Sequence, residues 1–190
     1  LCDSIIANHC YYEKYGEVRT IDGETVYMNN YMYSSIRKWL NEEFYKTAFS
    51  ALQQELILVT TVDNSARSTN PNDNATRWNS GNNSYACANT SDKIFLLSGQ
   101  EVTNSAYGFA SDPGAKDIAR RMQTSDYARA TGACMDTDSD YYGNGLWWLR
   151  SPHYYGGAWL VVGDSGRASY NGELFYRTYC GCVPALWISL

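Results

Sequence analysis

The feature that most constrains this chain is a contrast inside its last stretch, 145–190, where two apolar runs enclose a segment of quite different composition. The left run, Leu146-Trp147-Trp148-Leu149-Arg150-Ser151-Pro152, and the right run, Pro184-Ala185-Leu186-Trp187-Ile188-Ser189-Leu190, have the aromatic and aliphatic character of strands inside a sheet. Between them Tyr, Gly, Ser, Arg, Asp, Asn and Cys dominate. Rigid ends around such a middle predict a frame that holds a binding surface.

Composition sharpens that expectation. Seventeen Tyr and six Trp among 190 residues exceed what one core holds without burying many hydroxyls, so a good share of the rings belongs at the surface. The length fits one domain, 1–190, with a real core. A net charge of −5 leaves no basic excess to neutralise phosphates, which argues against nucleic acid or an anionic membrane surface as partner. No apolar run approaches the roughly 20 residues that span a bilayer, so membrane insertion is not expected. The abrupt apolar start at Leu1 gives the expectation of a longer parent chain.

Read in order, 1–7 predicts a strand, and 18–28 predicts a hairpin turning at Asp22-Gly23. From Ser34 the period changes: Ile36, Trp39, Leu40 and Phe44 fall on one face of an amphipathic helix capped by Ser34 or Ser35. Ser50 and Gln53 have capping-box spacing for a second helix. Leu56 to Val62 and Lys93 to Ser98 predict strands, the latter buried, and Ser98 and Glu101 repeat the capping-box spacing. Between these strands 63–90 is an Asn-rich loop, while helical signals are weak over 112–131. The alternative reading of the last stretch, a Gly-rich antiparallel sheet, would turn at Asp164-Ser165-Gly166 and Asn171-Gly172. Helices early, strands late and no regular βαβ alternation predict an α+β fold with a mostly antiparallel sheet, two main helices and long loops.

Four stretches then look familiar as a set. SSIRKWLNEEFYKTAFS (34–50), DKIFLLSGQE (92–101), WWLRSP (147–152) and PALWISL (184–190) resemble, in order and over nearly the whole chain, a widespread microbial and phage domain. Members of that family show S-x-I-R-x-W-L-N, D-x-I-F-L-L-S, W-W-L-R-S-P and G-V-R-P-A-L-W-I. The resemblance implies a C-type-lectin-like fold, akin to the formylglycine-generating group. Some of its members are variable proteins of diversity-generating retroelements, in which mutagenised template adenines diversify a C-terminal ligand-binding region. It also implies display at a cell surface, outside the cell or on a virion, and a protein or other macromolecular ligand. One departure is plain: Gly181-Cys182-Val183-Pro184 stands where relatives have G-V-R-P, and the arginine is missing.

The retroelement resemblance carries a test within 153–182. Randomising the adenines of AAY codons reaches Tyr, Ser, Gly, Asp, His, Arg, Cys, Phe and Asn, but not Trp, Glu, Lys, Gln or Met. In that segment Trp159 and Glu173 fall in the unreachable set and are expected to belong to the frame. The expected ligand-binding residues are His153, Tyr154, Tyr155, Arg167, Ser169 and Tyr170, followed by Phe175, Tyr176, Arg177, Tyr179 and Cys180. Their mix of Tyr with small polar residues is that of a paratope. A Gly-rich antiparallel sheet would explain the glycines but not the concentration of Tyr and Arg.

Enzymatic chemistry is not expected. The six cysteines, at 2, 10, 87, 134, 180 and 182, include no C-x-x-C pair of zinc-ligand spacing, and their even number leaves disulfides open. A formylglycine-generating oxidase would need Cys180-x-Cys182 as its reactive pair, at a spacing that does not match. Neither His9 nor His153 sits in a nucleophile motif. Asp136, Asp138 and Asp140 alternate as in a calcium loop, but Tyr141 and Trp147 occupy the positions of the required Gly and Glu. No cofactor is expected, with calcium the one ion left open. A glycan-binding lectin is the alternative to a diversified binding module.

Overall fold

The computed structural model describes residues 4–8, 18–65, 86–138, 140–153, 157–174 and 177–189. The architecture is mixed α+β. Strands β1 (Ser4–Ile5) and β2 (Ala7–Asn8) are followed by the hairpin β3 (Arg19–Ile21) and β4 (Glu24–Val26). Asp22 (φ 50°) and Gly23 (φ 84°) make the turn, the paired positive φ values that suit a two-residue hairpin.

Ser34 caps the main helix by accepting from the Arg37 N–H. That helix runs as α1 (Ser35–Trp39), a π-helical segment (Leu40–Phe44) and α2 (Tyr45–Ala48). The widening falls where the Asn41 side-chain amide donates to the Arg37 carbonyl at 3.1 Å, the acceptor a regular helix gives to a backbone N–H. Ile36 and Leu40 are fully buried, as the helical spacing requires. The capping box of Ser50 and Gln53 starts α3 (Ala51–Leu56), which buries none of its side chains. β5 (Thr60–Val62) pairs antiparallel with β6 (Thr90–Asp92), and β7 (Gln123–Thr124) pairs parallel with β1. A short helix, α4 (Asp126–Ala130), is what the weak signals over 112–131 become, together with a 3₁₀ turn at Ile118–Arg120.

The main sheet has the order β10-β9-β8-β11-β2. Its members beyond β2 are β8 (Trp147–His153), β9 (Gly157–Val161), β10 (Ala168–Leu174) and β11 (Gly181–Cys182). β8 sits at the centre and is covered on both faces, so Trp147 and Trp148 are both completely buried although they alternate sides. The expected strand over 1–7 splits, since β1 joins β7 and β2 joins β11; residues 1–3 lie outside the described residues.

Three expectations are corrected. Lys93 to Ser98 is buried but is no ladder strand: its one bridge is Phe95 with Ala185. Side chains take the place of a neighbouring strand there. Asn41 Oδ1 accepts from the Lys93 and Ile94 N–H groups (2.9 and 3.2 Å), the Tyr31 hydroxyl accepts from Leu96 N–H, and Arg150 donates to the Leu96 carbonyl. The right-hand run, 184–190, is likewise bridged only at Ala185 and Ile188, with Trp187 and Ile188 half exposed. Asn171-Gly172 makes no hairpin turn. It lies inside β10, where the register against β9 shifts between Ser169 and Glu173 without reversing the chain.

Candidate functional site

The family-like motifs meet one another through their polar side chains. Arg37, from the first motif, pairs with the buried Asp92 that opens the second, Nε lying 2.8 Å from Oδ1. Thr90 Oγ1 donates to the other Asp92 oxygen at 2.7 Å and accepts from Asn64 Nδ2 at 3.1 Å. Asn41 bonds Ile94 in both directions. Arg150, from the third motif, is buried and pairs with Glu101, with Nη2 at 3.1 Å from Oε1. It also donates to the carbonyls of Leu96 and Asp63. Ser151 accepts from Gly99 N–H at 2.8 Å, and Phe95 meets Ala185 of the last motif. Ser98 and Glu101 close their own capping box. Buried charge pairs and side-chain bonds to backbone link one motif to the next in this low-polarity network, which rigidifies the body. Burial is also why the Tyr31 hydroxyl, beside Asp92, titrates well above its ordinary range.

Two of these contacts fix the roots of the Asn-rich loop. Asn64 N–H donates to Asn89 Oδ1 and Asn64 Nδ2 to the Ala88 carbonyl, tying both ends together, while Arg150 ties Asp63 to β8. Residues 66–85 lie outside the described residues.

Of the expected binding residues, His153 ends β8 and Ser169 and Tyr170 lie in β10. His153 is half-buried at the end of β8, and its carbonyl accepts from Asn29 Nδ2 at 2.6 Å. The same amide donates to the Gly157 carbonyl at 3.1 Å. Asn29, completely buried, therefore closes the mouth of the β8–β9 connection from beneath. Sequence reasoning missed it, because an Asn-Asn pair in a turn-rich stretch carries no sign of a partner over a hundred residues away. Tyr154, Tyr155, Phe175 and Tyr176 lie outside the described residues. Ser169, Tyr170 and Glu173 belong to β10.

Arg167 is exposed just past the turn at Gly163–Ser165, and Arg177 is exposed with its guanidinium 5.8 Å from the Tyr179 ring. The turn is seated on the segment before β7: Asp117 N–H donates to the Ser165 carbonyl, and Ala168 N–H to that of Pro113. Gly166 has φ 67°, and a methyl there would lie 1.9 Å from the Asp117 carbonyl oxygen, so only glycine fits. Buried Arg120 braces this platform through Asp117 and the carbonyls of Asp112 and Pro113. Burial alone would raise the Asp117 carboxyl. The N–H groups of Ala110 and Ala119 and the Arg120 guanidinium outweigh it and hold the group below the usual range.

Cys180 does not belong with the exposed set. It is completely buried, as are Cys182 and Val183, the latter at the position where the resembling domain has arginine. Trp159 is also buried, at 5% exposure. Among the described residues Cys87, Cys134, Cys180 and Cys182 form no disulfide with one another, and burial pushes the Cys87 and Cys134 thiols up. Asp136 and Asp138 each accept from the N–H two residues on, at 2.8 and 3.0 Å, as solvated Asx turns do. Among the described residues no group of three or more His, Cys, Asp or Glu is arranged to hold a metal ion.

A concavity of about 660 Å³ that the sequence did not announce lies along α1, with Arg19, Arg37, Lys38, Glu42 and Asp92 in its walls. It includes none of the expected binding residues, and its innermost charges, Arg37 and Asp92, neutralise each other.

A family model described as a domain of unknown function (DUF6273) matches residues 1–190. No curated protein and no solved structure matches the chain.

Proposed function

The chain belongs to the DUF6273 family over its whole length, and from that premise we propose that it is a non-enzymatic ligand-binding domain with a C-type-lectin-like fold. Its C-terminal Tyr-rich region is diversified to recognise a protein or other macromolecular ligand at a cell, extracellular or virion surface. The carrying observation is how the polar side chains are used. Arg37, Asn41, Asp92, Glu101, Arg150 and Ser151, all from the family-like motifs, bond to one another and to backbone inside the body. Arg167 and Arg177, between the last two motifs, face solvent. A frame that satisfies itself leaves the outer segment free to change without loss of the fold. Trp159, unreachable by adenine mutagenesis, lies in the core and agrees with this division. The pairing of β2 with β11, which brings the two ends of the described chain into one sheet, supports the fold part of the reading.

Exposed Tyr and Arg would dominate the binding energy, as they do at protein interfaces. Cys180 drops out of the contact set on burial, and the segment's reach is carried by His153, Arg167, Arg177, Tyr179 and their neighbours. Sequencing the encoding locus across isolates tests the proposal. The expected result is adenine-derived variation within 153–182 that spares the Trp159 codon, beside a near-copy repeat. A constant segment with no such repeat overturns diversification. Chelator-sensitive binding on a glycan array would move the reading to a sugar lectin.

A further inference from the structure

The hairpin of β8 and β9 is paired in two registers. Trp147 and Trp148 stand opposite Val161 and Leu160, whereas Pro152 and His153 stand opposite Ala158 and Gly157, so four steps along β8 match two along β9. Between the two pairs β8 serves another neighbour. Arg150 N–H donates to the Leu97 carbonyl at 2.9 Å, and Ser151 Oγ accepts from Gly99 N–H at 2.8 Å. Across such a bulge the outer pair does not inherit the register of the inner one, and Pro152 brings no N–H to the ladder.

One side chain spans that outer pair. Asn29 Nδ2 donates to the His153 carbonyl at 2.6 Å and to the Gly157 carbonyl at 3.1 Å. Both partners only accept, so the nitrogen end of the amide faces them, and its two hydrogens serve the two strands. The oxygen end, Oδ1, is buried with no donor among the described residues. Leaving it so is costly, and an apolar side chain would fill the same space without that cost; what Asn29 supplies is the pair of donors. Its mount is part of the frame. Asn30 N–H donates to the Tyr27 carbonyl and Ser34 N–H to that of Tyr31, and the hydroxyl of buried Tyr31 accepts from Leu96 N–H.

We propose that Asn29 is the positioning residue of the β8–β9 connection. It pins the outer pair to the frame, so that His153 and Gly157 keep their place whichever side chains 154–156 carry. What this means for recognition rests on the binding function proposed above, but the pin itself does not. A constant encoding locus would remove diversification and leave the Asn29 hydrogen bonds as they are, so the two can fail separately.

Amide hydrogen exchange by mass spectrometry on the 190-residue chain tests it, comparing the outer segment 152–158 with the inner segment 159–162. Asn29→Ala is expected to speed exchange over 152–158 by about tenfold relative to 159–162. Equal acceleration of both segments, or of neither, overturns the proposal. Tyr154→Ser combined with Tyr155→Ser, with Asn29 in place, is expected to leave 152–158 within about twofold of the natural chain. Acceleration as large as that of Asn29→Ala would show that the connection holds itself, and the pin would be refuted. Asn29→Asp, of nearly the same shape, adds a pH readout. Its carboxylate has no donor and faces two carbonyls, whereas the protonated acid regains one O–H; burial raises its pKa and brings that protonation nearer neutrality. Protection over 152–158, corrected for intrinsic exchange, is expected to rise several-fold from about pH 7 to about pH 5 in this variant and not in Asn29→Ala. A flat profile counts against the two donors. Circular dichroism checks that each variant folds; if Asn29→Ala does not fold, Asn29→Asp carries the test, and loss of the whole fold in both overturns the proposal, because the residue then holds the core and not the hairpin end.

Discussion

The two halves of the main sheet treat polar side chains in opposite ways. On the side of β8 that faces α1 and 92–101, Arg37, Asn41, Asp92, Glu101 and Arg150 are each tied to another motif. Arg150 alone reaches Glu101, Leu96 and Asp63. On the side of β9 and β10, the described cations Arg167 and Arg177 are exposed, the strand register slips between Ser169 and Glu173, and the connection at 163–166 rests on a separate platform built around Arg120. The difference teaches that order here is not spread evenly. One half is held rigid through buried charge pairs, and the other is held chiefly through its backbone groups, with the glycine at 166 the fixed exception.

The largest effect is expected at Arg150. Replacing it with Ala strips the cation from Glu101 and the donors from the Leu96 and Asp63 carbonyls, at a cost of about 3 kcal/mol, read as a fall in the urea midpoint or as failure to fold. A cost below about 1 kcal/mol would place Arg150 among surface pairs and erase the contrast. Next comes Asn41→Ala, which strips four hydrogen bonds from the helix and from Lys93 and Ile94. About 2–3 kcal/mol is expected, because the freed backbone groups are largely shielded from water. Asn41→Asp, which keeps the acceptor and loses the donors, is expected to recover part of it in the same titration.

A smaller and pH-dependent effect is expected at the platform. The Asp117 carboxyl sits below its ordinary range when folded, so its contribution to stability is complete above that range and is lost as pH falls through the folded value. Unfolding free energy measured from pH 6 down to pH 3 should drop more steeply in the natural chain than in Asp117→Asn at the acid end. Parallel curves would show that Arg120 holds the turn without its partner's charge.

Much of the frame was legible in the sequence because it rests on local rules. The Ser34 cap, the Ser50–Gln53 box, the Asp22-Gly23 turn and the buried face of Ile36 and Leu40 each follow from spacing within one turn or hairpin. What failed was the assignment of partners. Lys93 to Ser98 reads as a strand because it is apolar and β-prone, yet the groups that satisfy its backbone are the side chains of Asn41, Tyr31 and Arg150, from segments far away in sequence. Cys180 shows the same limit from the other direction. Composition placed it with its exposed neighbours, and burial depends on which way one residue faces in a segment whose register no periodicity announces. Asn29 was invisible for the same reason, being defined by the His153 and Gly157 carbonyls it joins.

The smallest stability effect is expected where function is proposed to lie. Arg167 and Arg177 are exposed. Arg177 lies over Tyr179 at 5.8 Å, an exposed cation–π contact worth about 0.5–1 kcal/mol at most. Arg167→Ala is expected to change the unfolding free energy by less than about 0.5 kcal/mol, and Arg177→Ala by no more than about 1 kcal/mol. The double variant should be additive, since the two side chains share no described partner. If the pair together cost more than about 2 kcal/mol in urea titration, these arginines would belong to the frame, and the segment between the motifs would not be free to vary. Near-neutral stability combined with lost affinity for whatever ligand the domain is found to bind would be the signature of side chains held out for recognition by a body that does not need them to fold.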